Sequence, residues 1–254
     1  MSFKNVIVKR PCPSMVDGIT SASLGKPDYE KALKQHDKYI EALEKCGVEV
    51  TVMEADNAFP DSCFIEDTAV LTKNVAIISN PGAKSRNAET IKVEEVLKKF
   101  YSNIERIKSP GTLDGGDIMM VGEHFYIGKS ERTNDEGCRQ FIEILEKNGH
   151  TGSQVPLEEV LHLKTGVNYL ENNNILVAGE FITNPAFSKF THVIVTDDES
   201  YAANCIWVND TVIVPEGYPK VQSNIEKLGY KVITVDTSEY KKLDGGLSCL
   251  SLRF

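Results

Sequence analysis

A thiol, an imidazole and several carboxylates are spaced along this chain in a way that suits covalent chemistry on a cationic substrate. Cys249 lies in Asp244-Gly-Gly-Leu-Ser-Cys-Leu-Ser-Leu-Arg-Phe254, whose alternation predicts a strand with Leu250, Leu252 and Phe254 on one face and Cys249 with Ser251 on the other. A thiolate is a strong nucleophile, and the Gly-Gly before it suits either close backbone approach to a ligand or an ordinary turn. His162, in Val160-Leu-His-Leu-Lys-Thr-Gly166, has leucines on the opposite face and can give and take protons near neutral pH. Phe59-Pro-Asp-Ser-Cys-Phe-Ile-Glu-Asp-Thr68 holds Asp61, Glu66 and Asp67 among apolar neighbours. Read as a solvated loop it is unremarkable in chemistry; read as an extended strand it puts Asp61, Cys63 and Ile65 on one face and ends on two acids that can grip a cation. Thr112-Leu-Asp-Gly-Gly-Asp-Ile-Met-Met120 sets Asp114 and Asp117 around a second Gly-Gly, either a turn or another acidic loop. Arg86 and Arg132 each follow a strand and precede a helix, 46 residues apart. Singly they read as surface charges, together as a planar clamp for one carboxylate.

Metal chemistry is not expected. The chain contains no His-Glu-x-x-His, His-x-His or Cys-x-x-Cys, and its cysteines at 12, 46, 63, 138, 205 and 249 fit neither a zinc ribbon nor a disulfide framework. Apart from Cys249 they are expected to be small buried hydrophobes.

Positioning these residues requires a repeating scaffold. Apolar periodicity predicts helices over 26–45, 88–100, 134–147, 185–190 and 219–228, with Gly47, Gly149 and Gly229 closing three of them. Between them lie β-branched runs at 5–8, 48–52, 74–78, 192–195, 211–214 and 231–235. The loops carrying Glu66-Asp67, Asp114, His162, Asn204 and Cys249 follow one another at intervals of 48, 48, 42 and 45 residues from Glu66 onward. Periodicity at this length predicts five modules around a pseudo-fivefold axis, with Val6-Ile7-Val8 supplying the strand that closes the ring. The competing architecture is a doubly wound sheet. No linker composition interrupts the series, so residues 1–254 are expected to be one domain.

Composition narrows the partners. Of 254 residues, 41% are hydrophobic and 26% charged, and the net charge is −9. With a pI near 5.2 and mean hydropathy of −0.24, the chain is of ordinary globular type and should repel phosphate backbones, which argues against nucleic acid. No apolar run reaches the ~18–20 residues of a membrane span, and the short Val6-Ile7-Val8 block is no signal peptide, so no membrane and a cytoplasmic address are expected.

Six ordered segments resemble the guanidine-modifying (pentein) superfamily, and most closely the short bacterial dimethylarginine dimethylaminohydrolases, across essentially the whole chain. They are Leu24-Gly-Lys-Pro-Asp-Tyr29, Phe59-Pro-Asp-Ser-Cys-Phe-Ile-Glu-Asp67, Pro110-Gly-Thr-Leu-Asp-Gly-Gly-Asp-Ile-Met-Met-Val-Gly122, Leu161-His-Leu-Lys-Thr-Gly166, Ser200-Tyr-Ala-Ala-Asn-Cys-Ile-Trp-Val-Asn209 and Asp244-Gly-Gly-Leu-Ser-Cys-Leu-Ser251. The resemblance implies an α/β five-bladed propeller, with Cys249 as nucleophile and His162 as general acid and base. It implies that Asp67 pairs with a guanidinium, that Glu66 lies beside it in the same lining, and that Asp61 receives an α-amino group. Arg86 and Arg132 correspond to an α-carboxylate clamp, and the carbonyls of Ile19 and Leu243 to polar contacts near the substrate. Asp114 stands where short bacterial members carry Glu, so its reach to His162 is left to the structure. The implied reaction converts a methylated arginine to citrulline in arginine metabolism, without cofactor or metal, in a homodimer. Arginine or agmatine deimination is the nearest alternative, and a non-catalytic ribosome anti-association factor shares the propeller. The arginine clamp disfavours agmatine, which lacks the carboxylate, and the negative charge disfavours ribosomal RNA.

Overall fold

Strands of two to six residues cannot bury an apolar face alone, so this chain stacks them in repeats. The protein's structure, a computed structural model, describes residues 2–254. β1 (Asn5–Lys9), α1 (Tyr29–Lys45) and β2 (Glu49–Met53) open the chain. The next unit is β3 (Ala69–Leu71), β4 (Ala76–Ile78), α2 (Glu89–Leu97) and β5 (Ile104–Arg106), followed by β6 (Ile118–Val121), β7 (His124–Lys129), α3 (Asp135–Lys147) and β8 (Thr151–Pro156). A short α4 (Leu163–Gly166) enters β9 (Val167–Tyr169), β10 (Asn174–Val177) and β11 (Thr191–Ile194). β12 (Ile206–Val208), β13 (Thr211–Pro215), α5 (Pro219–Lys227), β14 (Lys231–Val235), α6 (Ser238–Lys241) and β15 (Leu252–Arg253) complete it.

These strands make five three-stranded sheets, β15-β1-β2, β3-β4-β5, β6-β7-β8, β9-β10-β11 and β12-β13-β14. In each, the first pair is antiparallel and the second parallel. A parallel pair needs a crossover, and an α-helix supplies it in four of the five units. In the β9–β11 unit the predicted helix over 185–190 is only a 3-10 turn, Pro185–Phe187. The expected closure is present: β1 takes β15 as partner through Val6↔Arg253 and Ile7↔Leu252. The architecture is the five-bladed αβ propeller.

Boundaries follow local chemistry. The predicted start of α1 at residue 26 moves to Tyr29 because the Asp28 carboxylate accepts the Lys31 N–H as an N-cap, and Asn134 caps α3 in the same way through Gly137. The axis is lined by a short turn before the first strand of every sheet: Ile65–Thr68, Gly115–Asp117, α4, Asp197–Ala203 and Ser248–Leu250. The 65–68 turn packs on 248–250 and on 115–117, and α4 packs on 115–117 and 197–203.

Two local expectations fail here. Cys249 is not on a strand but in the 3-10 turn Ser248–Leu250, and both Leu250 and Ser251 are fully buried. The alternation tracked packing on two sides rather than a pleated strand. Asp61, Cys63 and Ile65 likewise do not share a strand face, since a turn closed by Phe64 N–H to Asp61 O (2.9 Å) leads into the 3-10 turn that holds Glu66 and Asp67.

Candidate active site

A cleft of about 240 Å³ takes Asp67 and Cys249 from two of these turns, and Asp114 and His162 from the residues that precede two others; Asp61, Arg86 and Arg132 line it as well, with Ile19 and Leu243 at its wall. The other five cysteines are buried, whereas Cys249 is half-buried. Burial and the carboxylates of Glu66 and Asp67 push that thiol up, to about 12, so it rests protonated. The turn that carries it is seated by Asn204, whose Oδ1 accepts the Ser248 N–H at 2.9 Å.

His162 reaches Asp114 despite the short side chain, Nε2 to Oδ2 at 3.0 Å. Asp114 Oδ1 in turn accepts the Gly82 N–H at 2.8 Å. Burial alone would lower the His162 pKa, but Asp67, the hydrogen bond to Asp114 and the charge of Asp117 overcome it and raise it to about 9. Asp67 is held low against its burial by His162, by Arg86 Nη1 on Oδ2 (2.6 Å) and by the Gly116 N–H on Oδ1 (2.9 Å). Gly116 is obligatory at this junction. A Cβ there would stand 2.7 Å from His162 Nδ1 and 2.9 Å from Asp67 Oδ1.

The two arginines play different parts. Arg86 is 6% exposed, and its guanidinium binds Asp67, Glu89 and the carbonyl of Phe64. Burial opposes its charge, yet Asp67 and Glu89 hold its pKa well above the ordinary value. Arg132 lines the same cleft, half-buried, with no ion pair among the described residues. Asp61 Oδ1 accepts the Ile19 N–H at 2.9 Å; burial raises its pKa, opposed by Arg86 and that hydrogen bond.

Glu66 departs from the expected lining. Consecutive residues of a 3-10 turn point about 120° apart, so while Asp67 faces the cleft, Glu66 turns to a separate pocket with Lys164 and Arg253. Its Oε1 accepts Lys164 Nζ at 2.5 Å and Arg253 Nη2 at 2.9 Å. Sequence reasoning missed Lys164, Arg253, Glu89 and Asp244. Asp244 borders the cleft at φ 57° and its Oδ2 accepts the Ser21 N–H at 2.6 Å. The Asp-Gly-Gly triplet shared by 114–116 and 244–246 was the available signal.

Asp67, Asp114 and His162 bring one donor atom each within 4.8 Å of one another, the spacing of a metal site. The carboxylate oxygens are, however, already engaged by Arg86, Gly116, Gly82 and His162. All four carboxylate oxygens of the cluster are therefore committed to hydrogen bonds and ion pairs. What the cleft offers is a half-buried thiol, an imidazole, a carboxylate whose charge acts on the sulfur, and an arginine without an ion pair among the described residues.

Known proteins are similar to this chain in sequence and in fold. The sequence model of a family described as N,N dimethylarginine dimethylhydrolase, eukaryotic, matches residues 22–250. The N(G),N(G)-dimethylarginine dimethylaminohydrolase of Pseudomonas aeruginosa is 58% identical over 253 residues, covering 99% of this chain and 100% of that protein. The solved C249S mutant of the Pseudomonas aeruginosa enzyme, complexed with citrulline, superposes with a TM-score of 0.99 at 57% identity over the full length of both chains. A dimethylarginine dimethylaminohydrolase H162G adduct with S-methyl-L-thiocitrulline gives 0.98 at 58% identity, covering 99% of this chain and 100% of that one.

Proposed function

The chain belongs to the dimethylarginine dimethylaminohydrolase family, and from that premise we propose that it hydrolyses Nω,Nω-dimethyl-L-arginine and Nω-methyl-L-arginine to L-citrulline, releasing dimethylamine or methylamine. The observation that carries this reading is the polarity of the cleft: the charge of Asp67 acts on Cys249, the one thiol that lines it among the described residues, and the unpaired Arg132 lines the same space. An amino acid ending in a guanidinium matches both ends.

In the proposed mechanism the guanidinium first makes the nucleophile. Its positive charge beside the sulfur offsets the burial and the acids that hold Cys249 protonated, and the thiolate forms as the thiol proton is lost to solvent water. Thiolate attack makes the S–C bond out of the guanidinium plane, with the substrate held by Asp67 at one end and Arg132 at the other. At neutral pH His162, with its pKa near 9, is an imidazolium. It donates its proton as the C–N bond breaks, and the amine leaves neutral. The resulting neutral imidazole takes a proton from water, whose oxygen adds to the S-alkyl thiouronium carbon. Collapse breaks the C–S bond as the hydroxyl proton of the adduct passes to the departing sulfur, which restores the thiol and releases citrulline. No cofactor enters these steps.

The test is a side-by-side assay on dimethylarginine, monomethylarginine, arginine and agmatine. Citrulline and dimethylamine should appear in equal amounts from dimethylarginine, with agmatine the poorest substrate because it offers nothing to Arg132. Absence of citrulline from any methylated arginine would overturn the reading. We also propose that residues 1–254 act as one catalytic domain in the cytoplasm, within arginine metabolism and as a homodimer, the last testable by light scattering. Among the described residues no helix is long and apolar enough to cross a membrane.

A further inference from the structure

The structure assigns Asp117 as a positioning residue that locks the loop of His162 to the loop of Arg132 and keeps a negative charge beside the imidazole, an inference that rests on the function proposed above. Asp117 is fully buried, and its N–H closes the Gly-Gly turn on Asp114 O at 3.1 Å. Its Oδ1 accepts the N–H of Leu163, the peptide that follows His162, at 3.0 Å. Its Oδ2 accepts the hydroxyls of Ser130 and Thr133, each at 2.6 Å. Both hydroxyls relay the restraint. Ser130 Oγ accepts the Arg132 N–H at 3.0 Å, and Thr133 Oγ1 accepts the Asp114 N–H at 3.1 Å. One carboxylate thus fixes the backbone at the acid and base, at its partner Asp114, and at the free arginine. The neighbouring strand gives up a side chain to admit it, since a Cβ on Gly128 would lie 2.9 Å from Asp117 Oδ1.

Burying a carboxylate without a cation is costly, and no Lys or Arg pairs with Asp117 among the described residues. All three partners are donors, so the site is built for the ionised form. The charge that compensates it is the His162 imidazolium. Burial raises the Asp117 pKa to about 6, opposed first by His162 and then by the hydrogen bonds from Ser130, Thr133 and Leu163. His162 is faced by Asp67 from the 65–68 turn and by Asp114 and Asp117 from the Gly-Gly loop, with Arg86 behind Asp67 and Cys249 across the cleft. A neutral amide at 117 would keep the shape and lose the charge.

The experiment compares wild type and Asp117→Asn on dimethylarginine, and on S-methyl-L-thiocitrulline, whose thiol leaves without needing a proton. For dimethylarginine, kcat should fall roughly tenfold or more. The basic limb of its pH profile, where His162 loses its proton, should move about one unit to lower pH. Formation of the Cys249 adduct from S-methyl-L-thiocitrulline, read by intact-protein mass spectrometry, should stay within a few-fold of wild type. An unmoved basic limb, or equal losses on both substrates, overturns the assignment. If Asp117→Asn does not fold, Thr133→Val carries the test: removal of one donor should raise the acid limb set by Asp117, and Thr133→Ser should restore it, whereas a wild-type profile in Thr133→Val overturns the assignment. A wild type inert to dimethylarginine sinks the functional reading instead, while an active wild type with an unshifted Asp117→Asn sinks this inference alone.

Discussion

At the scale of single residues, the cleft separates groups that the amino-acid types alone make look alike. Six thiols share a chain, yet burial with no charge to offset it pushes Cys205 up to about 12, as deeply inert as a small hydrophobe, whereas Cys249 reaches a similar value partly through Glu66 and Asp67, which a bound cation can neutralise. In the free enzyme, alkylation of Cys249 by a neutral reagent should therefore keep rising from pH 6 to 9, and an amidinium ligand should accelerate it at neutral pH. A profile already flat over that range would mean that the thiolate is preformed. The arginines divide in the same way. Arg132→Ala should raise the KM for dimethylarginine about ten- to hundredfold with little change in stability, because one charge-assisted contact to the substrate is lost. Arg86→Ala should in addition cost about 3–5 kcal/mol in a urea melt, since Asp67 and Glu89 are left buried without their cation. Equal stability of the two variants would contradict the division.

At the scale of elements, the same short turn before each sheet's first strand does a different job in each blade. The 65–68 turn presents Asp67, the 115–117 turn supplies the Gly116 amide and Asp117, α4 follows His162, the 197–203 turn ends at Asn204, and the 248–250 turn carries Cys249. Their mutual packing leaves no room for a side chain at Gly116. Gly116→Ala should displace His162 and Asp67 and lower kcat/KM about hundredfold, as a misplacement of the order of 1 Å does, while the circular dichroism spectrum stays that of the wild type. Activity near wild type would show that the imidazole does not depend on this seat.

At the scale of the whole molecule, the ring is closed by its last strand. β15 pairs with β1, Phe254 O accepts the Asn5 N–H at 2.7 Å, and Arg253 reaches back to Glu66 behind the cleft. Leu252, 4% exposed, packs in one cluster with Ile7 of its own blade and with Ile65 and Ile78 of the next. Leu252→Ala should cost about 2–5 kcal/mol, the usual range for a truncated buried leucine. The melt should remain a single cooperative transition if closure couples the blades, and a separate early transition confined to the first sheet would show that it does not.

Much of this was legible in the chain. The repeat of loaded loops, the β-branched runs and the Pro and Gly that bound the helices are local signals, and they predicted five modules, the closing strand and the residues that meet at the axis. Cys249 and His162 stood out through the repeat that brings their loops together and the family motifs around them, since a lone cysteine or histidine is by itself most often structural. What the chain left open was direction and partnership. Alternation around Cys249 reported burial on both sides, not a strand, and adjacency of Glu66 and Asp67 hid the fact that a tight turn sends them to opposite pockets. Arg86 looked equivalent to Arg132 until folding placed Asp67 and Glu89 around it. Asp117 read as the end of a Gly-Gly turn, because its partners come from 13, 16 and 46 residues away. Hydrogen bonds and charges act through space over a few ångströms, and only closure of the ring brings those distant segments within reach of one another.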